Sequence, residues 1–413
     1  MRRHARIIMV ALLVATLAMP GWALAFQNEG TLRIGGMWAL SGGAAFFGKS
    51  SLGLATLAMD EINEAGGVKV NGKAVKLTMA AQDDACNAEQ GLAAVRRLAS
   101  VDKVLFSLGP TCSSVAEPVF GTLQKKLGDS SDTGLQLLFF TDTATKFGLA
   151  KLSPWVFRNT PDEPGMYDFI VAYLKEKHPQ LKTVMVSYES DFAHSAATWK
   201  GALEPAIKKH GHHQVMEVVD WRWQDTEMGA QVTKLRKASA DVYFSLTHTI
   251  STCASMKEMR RQRVRPKMIV GITSLAGTEV LINCPDVAEG IISPSNFAPI
   301  TPRAKQIADK AWDKYKADSN IHSVPAYENV HLVKSLIEKA GIKNTEESLL
   351  DDRRKVRDQL AAVGSFQGVL GKITMRPESD SVKPRDVDKD MLLVQIKSSK
   401  WTVFWAPPSL QPK

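Results

Sequence analysis

The stretch VLFSLGPTCSS, residues 104–114, carries the reading of the fold. Val104–Leu108 is a run of apolar and small residues too short for a helix, and Gly109-Pro110 stops it. That pattern predicts a short buried strand. Thr111-Cys112-Ser113-Ser114 follows, and Val115–Lys126 then reads as a helix. A strand, a polar turn and a helix make half of a doubly wound unit. In such sheets ligands sit beyond the carboxyl ends of the strands.

The same beat runs outward in both directions. Upstream, strands are predicted at Leu32–Met37 and Val75–Ala80, and helices at Leu52–Ala65 and Ala88–Leu98. Downstream, Leu137–Phe140 is a further strand. Past Asn159-Thr160-Pro161 the beat resumes. Helices at Tyr167–Glu176, Ala196–Lys209, Gly229–Lys237 and Ala254–Arg261 alternate with strands at Thr183–Ser187, Val215–Val219, Val242–Leu246 and Met268–Val270. Helices near Arg303–Lys316 and Ala326–Lys339 come next, and Leu392–Ile396 with Trp401–Phe404 reads as a β-hairpin. This alternation predicts an α/β fold with two doubly wound units and parallel sheets.

Arg2, Arg3 and Arg6 precede an apolar run, Ile7 to Met19. Pro20-Gly21 and Ala23-Leu24-Ala25 follow. A basic flank, a short apolar run and a small-residue site read as a signal peptide over residues 1–25, cut after Ala25. The run is too short to span a bilayer, which takes about 20 apolar residues. A chain of 413 residues has room for two domains beyond that leader. The formal charge is +9, but bases and acids are mixed, as in Asp351-Asp352-Arg353-Arg354-Lys355. That is a solvated helix face, and no basic stripe suited to nucleic acid accompanies it. The four cysteines, Cys86, Cys112, Cys253 and Cys284, are an even number in an exported chain. They predict disulfides with three possible connectivities, and their spacing does not match a zinc site.

The strand ends are rich in Ser, Thr and Gly, with His248 their one histidine. Such loops hold a ligand by hydrogen bonds and are poor in acid–base catalysts. Gly43–Ser50, GAAFFGKS, fits the phosphate-cradling pattern of a nucleotide hydrolase. Against that reading stand the signal peptide and two phenylalanines crowding the loop. Thr111–Ser114 opens a helix, where free N–H groups and hydroxyls attract an anion such as a carboxylate. Simple helix capping by Ser113 or Ser114 accounts for those residues equally well. Thr141–Thr145 is a similar cluster or a plain turn. His210, His212 and His213 read as a solvated turn, not a metal site. Trp221 and Trp223 read as packing residues. No GxSxG elbow, HExxH helix or dinucleotide fingerprint is present, so no catalytic residue, metal or cofactor is expected.

Taken in order, these segments resemble the periplasmic binding proteins of branched-chain amino-acid (Leu/Ile/Val) type ABC importers, over nearly all of Leu32 to Trp405. Leu32-Arg33-Ile34-Gly35 through Leu40-Ser41-Gly42 resembles the family's first strand and loop. Asp83-Asp84-Ala85-Cys86 and Cys112-Ser113-Ser114 resemble its paired segments. Leu138–Thr145 and Trp155–Asn159 resemble the strand and crossover into the second lobe. The resemblance implies the type I periplasmic binding fold: two Rossmann-like doubly wound lobes joined by three hinge crossovers. They fall near Asn159, near Ser293–Asn296 and near Gln395. Lobe 1 is then residues 26–158 plus 296–394, and lobe 2 residues 159–295 plus 395–413.

The resemblance also pairs Cys86 with Cys112. For Cys253 and Cys284 a bond and two reduced, buried thiols both stay open. It places a carboxylate site at Ser113, beside Cys112, with Ala144 and Thr145. Its aromatics fall on Phe47 and Phe192, and a strand-end position on His248 or Thr249. The acid that pairs with an amino-acid ammonium falls on Thr273, which carries no charge. An unpaired ammonium in a closed cleft costs several kcal/mol. The expected ligand is therefore a small carboxylate with an apolar or aromatic body, packed by Phe46, Phe47, Phe192 and Trp38. An α-amino acid would need another acid, Glu189 or Asp191. The expected protein is a periplasmic, non-enzymatic monomer that hands its solute to ABC permease subunits in the inner membrane. A ligand-sensing partner of a membrane receptor would share the fold and the cleft.

Overall fold

The computed structural model describes residues 30–160 and 162–410, so the signal-peptide reading of residues 1–25 lies outside the described residues. Six strands form the first sheet: β1 (Thr31–Trp38), β2 (Val68–Val70), β3 (Lys73–Asp83), β4 (Phe106–Leu108), β5 (Leu138–Thr141) and β6 (Val156–Arg158). Their order is β2-β3-β1-β4-β5-β6. All neighbours are parallel except β2 and β3, a hairpin closed by Asn71-Gly72 with both φ angles positive, as a two-residue hairpin turn demands. The central strands β4 and β5 are buried throughout, which is why they read as short apolar runs without alternation.

Helix α1 (Ala45–Glu64) follows β1, α2 (Ala88–Ser100) follows β3, and α3 (Ser113–Gly121) follows β4. The Asn87 side chain caps α2 by accepting from the amides of Glu89 and Gln90. Helix α1 begins seven residues earlier than the predicted Leu52, and this overturns the nucleotide-hydrolase reading of Gly43–Ser50. Ala45–Ser50 is helix, so its amides do not form a loop around phosphate. Gly48 is needed for packing: a Cβ there would lie 2.0 Å from the Ala39 carbonyl oxygen. Ser50 Oγ donates to Phe46 O at 2.8 Å, and Lys49 is exposed.

The second sheet holds β7 (Thr183–Glu189), β8 (Gln214–Trp221), β9 (Val242–Leu246), β10 (Met268–Gly271) and β11 (Ile291–Ser295), all parallel. Its helices are α4 (Glu163–Lys177), α5 (Ala193–Thr198), α6 (Glu204–His210), α7 (Gly229–Ala238), α8 (Thr249–Arg261) and α9 (Glu279–Asn283). The single helix predicted over Ala196–Lys209 is interrupted by a π turn at Trp199–Leu203. Pro205 in the first turn of α6 lacks the N–H that a continuous helix would use there. The chain then returns through α10 (Pro302–Tyr315), α11 (Val324–Ala340) and α12 (Leu349–Ala361). Helices α10 and α11 pack on α1, so this segment completes the first lobe. A small sheet follows, β12 (Ser365–Gln367), β13 (Lys372–Met375) and β14 (Val387–Asp388), and the chain ends in β15 (Leu392–Lys397) and β16 (Lys400–Trp405). β15 pairs antiparallel with β11, closing the second sheet in the order β16-β15-β11-β10-β9-β7-β8.

The chain thus passes between sheets three times: after Arg158, after Ser295, and between Asp388 and Leu392. The boundary drawn at Gln395 falls inside β15, whose pairing begins at Leu392 opposite Ser295. These passages are fastened by buried charge. Arg158 pairs with Asp386 at 3.1 Å, and Lys389 with Glu328 of α11 at 3.0 Å. Asn159 Nδ2 donates to Asn329 Oδ1 at 2.8 Å and to Glu328 Oε2 at 3.1 Å.

Candidate functional site

A cleft lies between the lobes, and most of its wall comes from carboxyl ends of strands. Lobe 1 contributes Phe47, Thr111, Cys112, Ser113, Thr143 and Thr145. Lobe 2 contributes Phe192 and His194 after β7, Trp223 after β8, His248 and Thr249 after β9, and Ser274 after β10. Glu279 of α9 and His322 of the α10–α11 loop complete it. The lobes also touch beside the cleft, where Thr278 N–H donates to Asp318 Oδ2 at 3.1 Å.

The lobe 1 wall is a polar cradle. Cys112 is the N-cap of α3, and the first intrahelical bonds are made by the Val115 and Ala116 amides to its carbonyl. The earlier amides, of Ser113 and Ser114, are the ones a helix leaves without an internal partner. Ser113 Oγ accepts from Lys146 N at 3.1 Å, so its own proton is free to point elsewhere. The Arg158 guanidinium donates to the Thr145 carbonyl at 2.9 Å and holds that loop. Beneath it, buried Asp142 accepts from Gly109 N at 2.6 Å, Thr143 Oγ1 at 2.8 Å and Trp38 Nε1 at 3.2 Å. Burial pushes the Asp142 carboxyl above its ordinary range. Gly109 is obligatory at this junction. Its φ is +79°, and a Cβ would sit 1.8 Å from the Met37 carbonyl oxygen.

The lobe 2 wall carries an aromatic shelf over a chain of titratable groups. The rings of Phe192 and Trp223 lie 4.6 Å apart, and those of Phe192 and His248 also 4.6 Å apart. His194 Nε2 bonds Glu163 Oε1 at 2.7 Å, and His194 Nδ1 meets His248 Nε2 at 3.2 Å. His248 Nδ1 bonds the Glu189 carboxylate, and the His248 amide donates to Glu189 Oε1 at 3.1 Å. Filling all three links between two ionised carboxylates requires an N–H on both nitrogens of one ring. Burial works to raise the Glu163 carboxyl, but the His194 charge and bonds from His194, Thr198 and Thr273 outweigh it and hold it below the ordinary range. Glu279 makes no ion pair among the described residues: its Oε2 accepts from Thr249 Oγ1 at 2.8 Å, and burial pushes its carboxyl up.

The expected site residues thus divide. Phe47, Cys112, Ser113, Thr145, Phe192 and His248 meet in the cleft wall, and Ala144 and Thr273 do not. Thr273 is fully buried and its hydroxyl donates to Glu163, so the polar demand at that position is met inside lobe 2. Neither acid suggested as a substitute lines the cleft. Glu189 is spent on His248, and Asp191 binds the Trp223 amide at 2.7 Å. Phe46 and Trp38 are also outside the wall. Residues missed by sequence reasoning are Trp223, His194, Glu279 and His322. The first two sit just past strand ends, a usable signal. Glu279 and His322 arrive from a later helix and a remote loop.

Both disulfides, Cys86–Cys112 and Cys253–Cys284, are formed. Among the described residues no cluster of His, Cys, Asp and Glu suits a metal ion, and His212 and His213 pack ring to ring at 4.7 Å.

Two sheets joined by three passages around a cleft is an arrangement with known counterparts. A family model described as periplasmic binding protein matches residues 31–400. The chain belongs to the periplasmic binding protein family. Among curated members, the leucine-, isoleucine-, valine-, threonine- and alanine-binding protein of Pseudomonas aeruginosa is 25% identical over 377 residues, covering 89% of this chain and 92% of that protein. Among solved structures of this fold, the substrate-binding protein LivJ of Streptococcus pneumoniae in complex with isoleucine superimposes with a TM-score of 0.75 at 21% identity, covering 91% of this chain and 99% of that one. A solute-binding protein of Rhodopseudomonas palustris in complex with 3,4-dihydroxybenzoic acid gives 0.73 at 17%, covering 93% and 99%.

Proposed function

We propose that this periplasmic binding protein is the solute-capturing component of an ABC importer. It takes a small carboxylate-bearing solute between its lobes and presents it, as a monomer without cofactor or catalysis, to inner-membrane permease subunits. The observation that carries this reading is the start of α3 in the cleft wall, with Ser113 and Thr145 beside unspent amides and the aromatic faces of Phe47, Phe192 and Trp223 around them. That combination suits a carboxylate on an apolar body. The related proteins of known ligand, which bind amino acids in some cases and an aromatic acid in another, support the same class.

Calorimetry of the protein against aliphatic amino acids, their keto acids and aromatic acids tests it. At least one carboxylate is expected to bind, and Ser113→Ala to weaken it roughly tenfold, the loss of a hydrogen bond to a charged group. Binding confined to uncharged solutes, or untouched by Ser113→Ala, would overturn the reading.

Glu279 favours a second reading within this class, an α-amino acid. It is a carboxylate in the wall with no ion-pair partner among the described residues, a natural partner for an ammonium. Glu279→Gln separates the two: it should weaken an amino acid at least tenfold and leave the matching keto acid unchanged or tighter. The opposite order would remove the amino-acid reading.

A further inference from the structure

His322 stands apart from most other polar groups of the cleft. Its residue is 3% exposed and lines the wall, yet neither ring nitrogen has a hydrogen-bond partner among the described residues. Ser274, 5% exposed and contributed by the other lobe, likewise has an unpartnered hydroxyl in the same wall. His194, His248, Thr143, Thr249 and Glu279 all have partners. Buried polar groups are rarely left unpaired, and those that are call for an unseen partner.

We propose that His322 and Ser274 form a hydrogen-bonding subsite for a neutral hydroxyl on the body of the solute, so that the preferred ligands are hydroxylated carboxylic acids. This rests on the carboxylate reading above and extends it to the other end of the ligand.

The His322 ring is held in place. Asn320 Oδ1 accepts from the His322 amide at 2.9 Å, and the His322 carbonyl accepts from Thr143 Oγ1 at 3.3 Å. Its ring meets that of Phe47 edge-on at 5.7 Å and that of His194 across the cleft at 6.3 Å. Burial, aided by the neighbouring His194, pushes the imidazole down to about 3, so it is neutral at neutral pH. A neutral imidazole offers one donor and one acceptor. A carboxylate serves only the donor and an ammonium only the acceptor. A hydroxyl serves either nitrogen in either tautomer, and it matches a serine hydroxyl equally well. The apolar surface of Phe47 beside the ring means that the hydroxyl is carried on an apolar frame, not on a sugar-like polyol.

The test is calorimetry with matched pairs: 3-phenylpropionate against 3-(4-hydroxyphenyl)propionate, and free phenylalanine against free tyrosine. The second pair keeps the test valid if the solute carries an ammonium. Wild type should bind the hydroxylated member of a pair at least tenfold more tightly. His322→Phe, which keeps a ring, should bring that ratio to one or below. Ser274→Ala should lower the ratio severalfold, and it serves if His322→Phe melts early. A wild-type ratio of one or below, or a ratio unchanged in both variants, overturns the subsite while leaving carboxylate capture standing. Failure of all four probes to bind wild type overturns the subsite, and the wider calorimetric panel above then decides the carboxylate reading separately.

Discussion

Glu163 is the residue whose replacement should report most directly on the architecture under the cleft. It sits in the first turn of α4, just past the first passage between lobes, and is 3% exposed. Its carboxylate accepts from His194 Nε2 at 2.7 Å, Thr198 Oγ1 at 2.6 Å and the Thr273 hydroxyl. Glu163→Ala strands three buried donors. Each costs about 1–3 kcal/mol if left unpaired, but Thr198 has a second acceptor in the His194 carbonyl at 2.9 Å. Removing one partner of a buried pair costs about 3–5 kcal/mol, which matches two orphaned donors. For a lobe of this size the fall in Tm is roughly 6–20 °C. Glu163→Gln keeps an acceptor oxygen and should lose less than half as much.

The assay is thermal melting followed by circular dichroism between pH 7 and pH 3. The folded carboxyl lies below its ordinary range, so its contribution is present above the unfolded value of about 4.3 and is lost as pH falls through the folded value. The gap between wild type and Glu163→Ala should therefore narrow in acid. A fall for alanine under about 2 °C at pH 7, on the scale of a surface substitution, or a gap that widens in acid, would refute this reasoning.

Gly109→Ala should cost about 3 kcal/mol or more, from the strained φ and the collision with Met37 O. Because the Gly109 amide also anchors Asp142, stability and ligand affinity should fall together in melting and calorimetry; a normal Tm would contradict the geometry. The disulfides close spans of 26 and 31 residues, for which chain entropy gives about 3–4 kcal/mol each. Paired serine replacements at either bond should lower the melting point, and a variant that melts with wild type would show that bond to be dispensable.

Much of the fold was legible because the central strands are buried on both faces. Val242–Leu246 has the same bounds in sequence and structure for that reason. Ile291–Ser295 went unread because Pro294 lacks a ladder donor, although β11 lies between β10 and β15. α8 starts at Thr249, five residues before the predicted Ala254, because polar Thr and Ser residues there face inward and mask the periodicity. Ser113, Thr145, Phe47 and Phe192 were legible because each lies in the first few residues past the carboxyl end of a strand or in the helix that starts there. His322 was not, since its loop reaches the cleft only through the packing of α10 and α11 on α1, which no local pattern encodes. Thr273 went wrong for a related reason. Position predicts where a side chain starts, but Glu163, 110 residues away, decides where it bonds.

The final hairpin sets an order of assembly. All six strands of the first sheet are complete once Arg158 has been made, and their neighbours in the sheet lie within that segment. The second sheet has five strands by Ser295 but leaves β11 as a bare edge until Leu392 is made, nearly 100 residues later. An exposed parallel edge is a template for wrong pairing, and a contact this distant in sequence forms slowly. A nascent or refolding chain therefore passes through a stage with one sheet complete and the other open along β11. Shortening the chain before Leu392 would hold it at that stage.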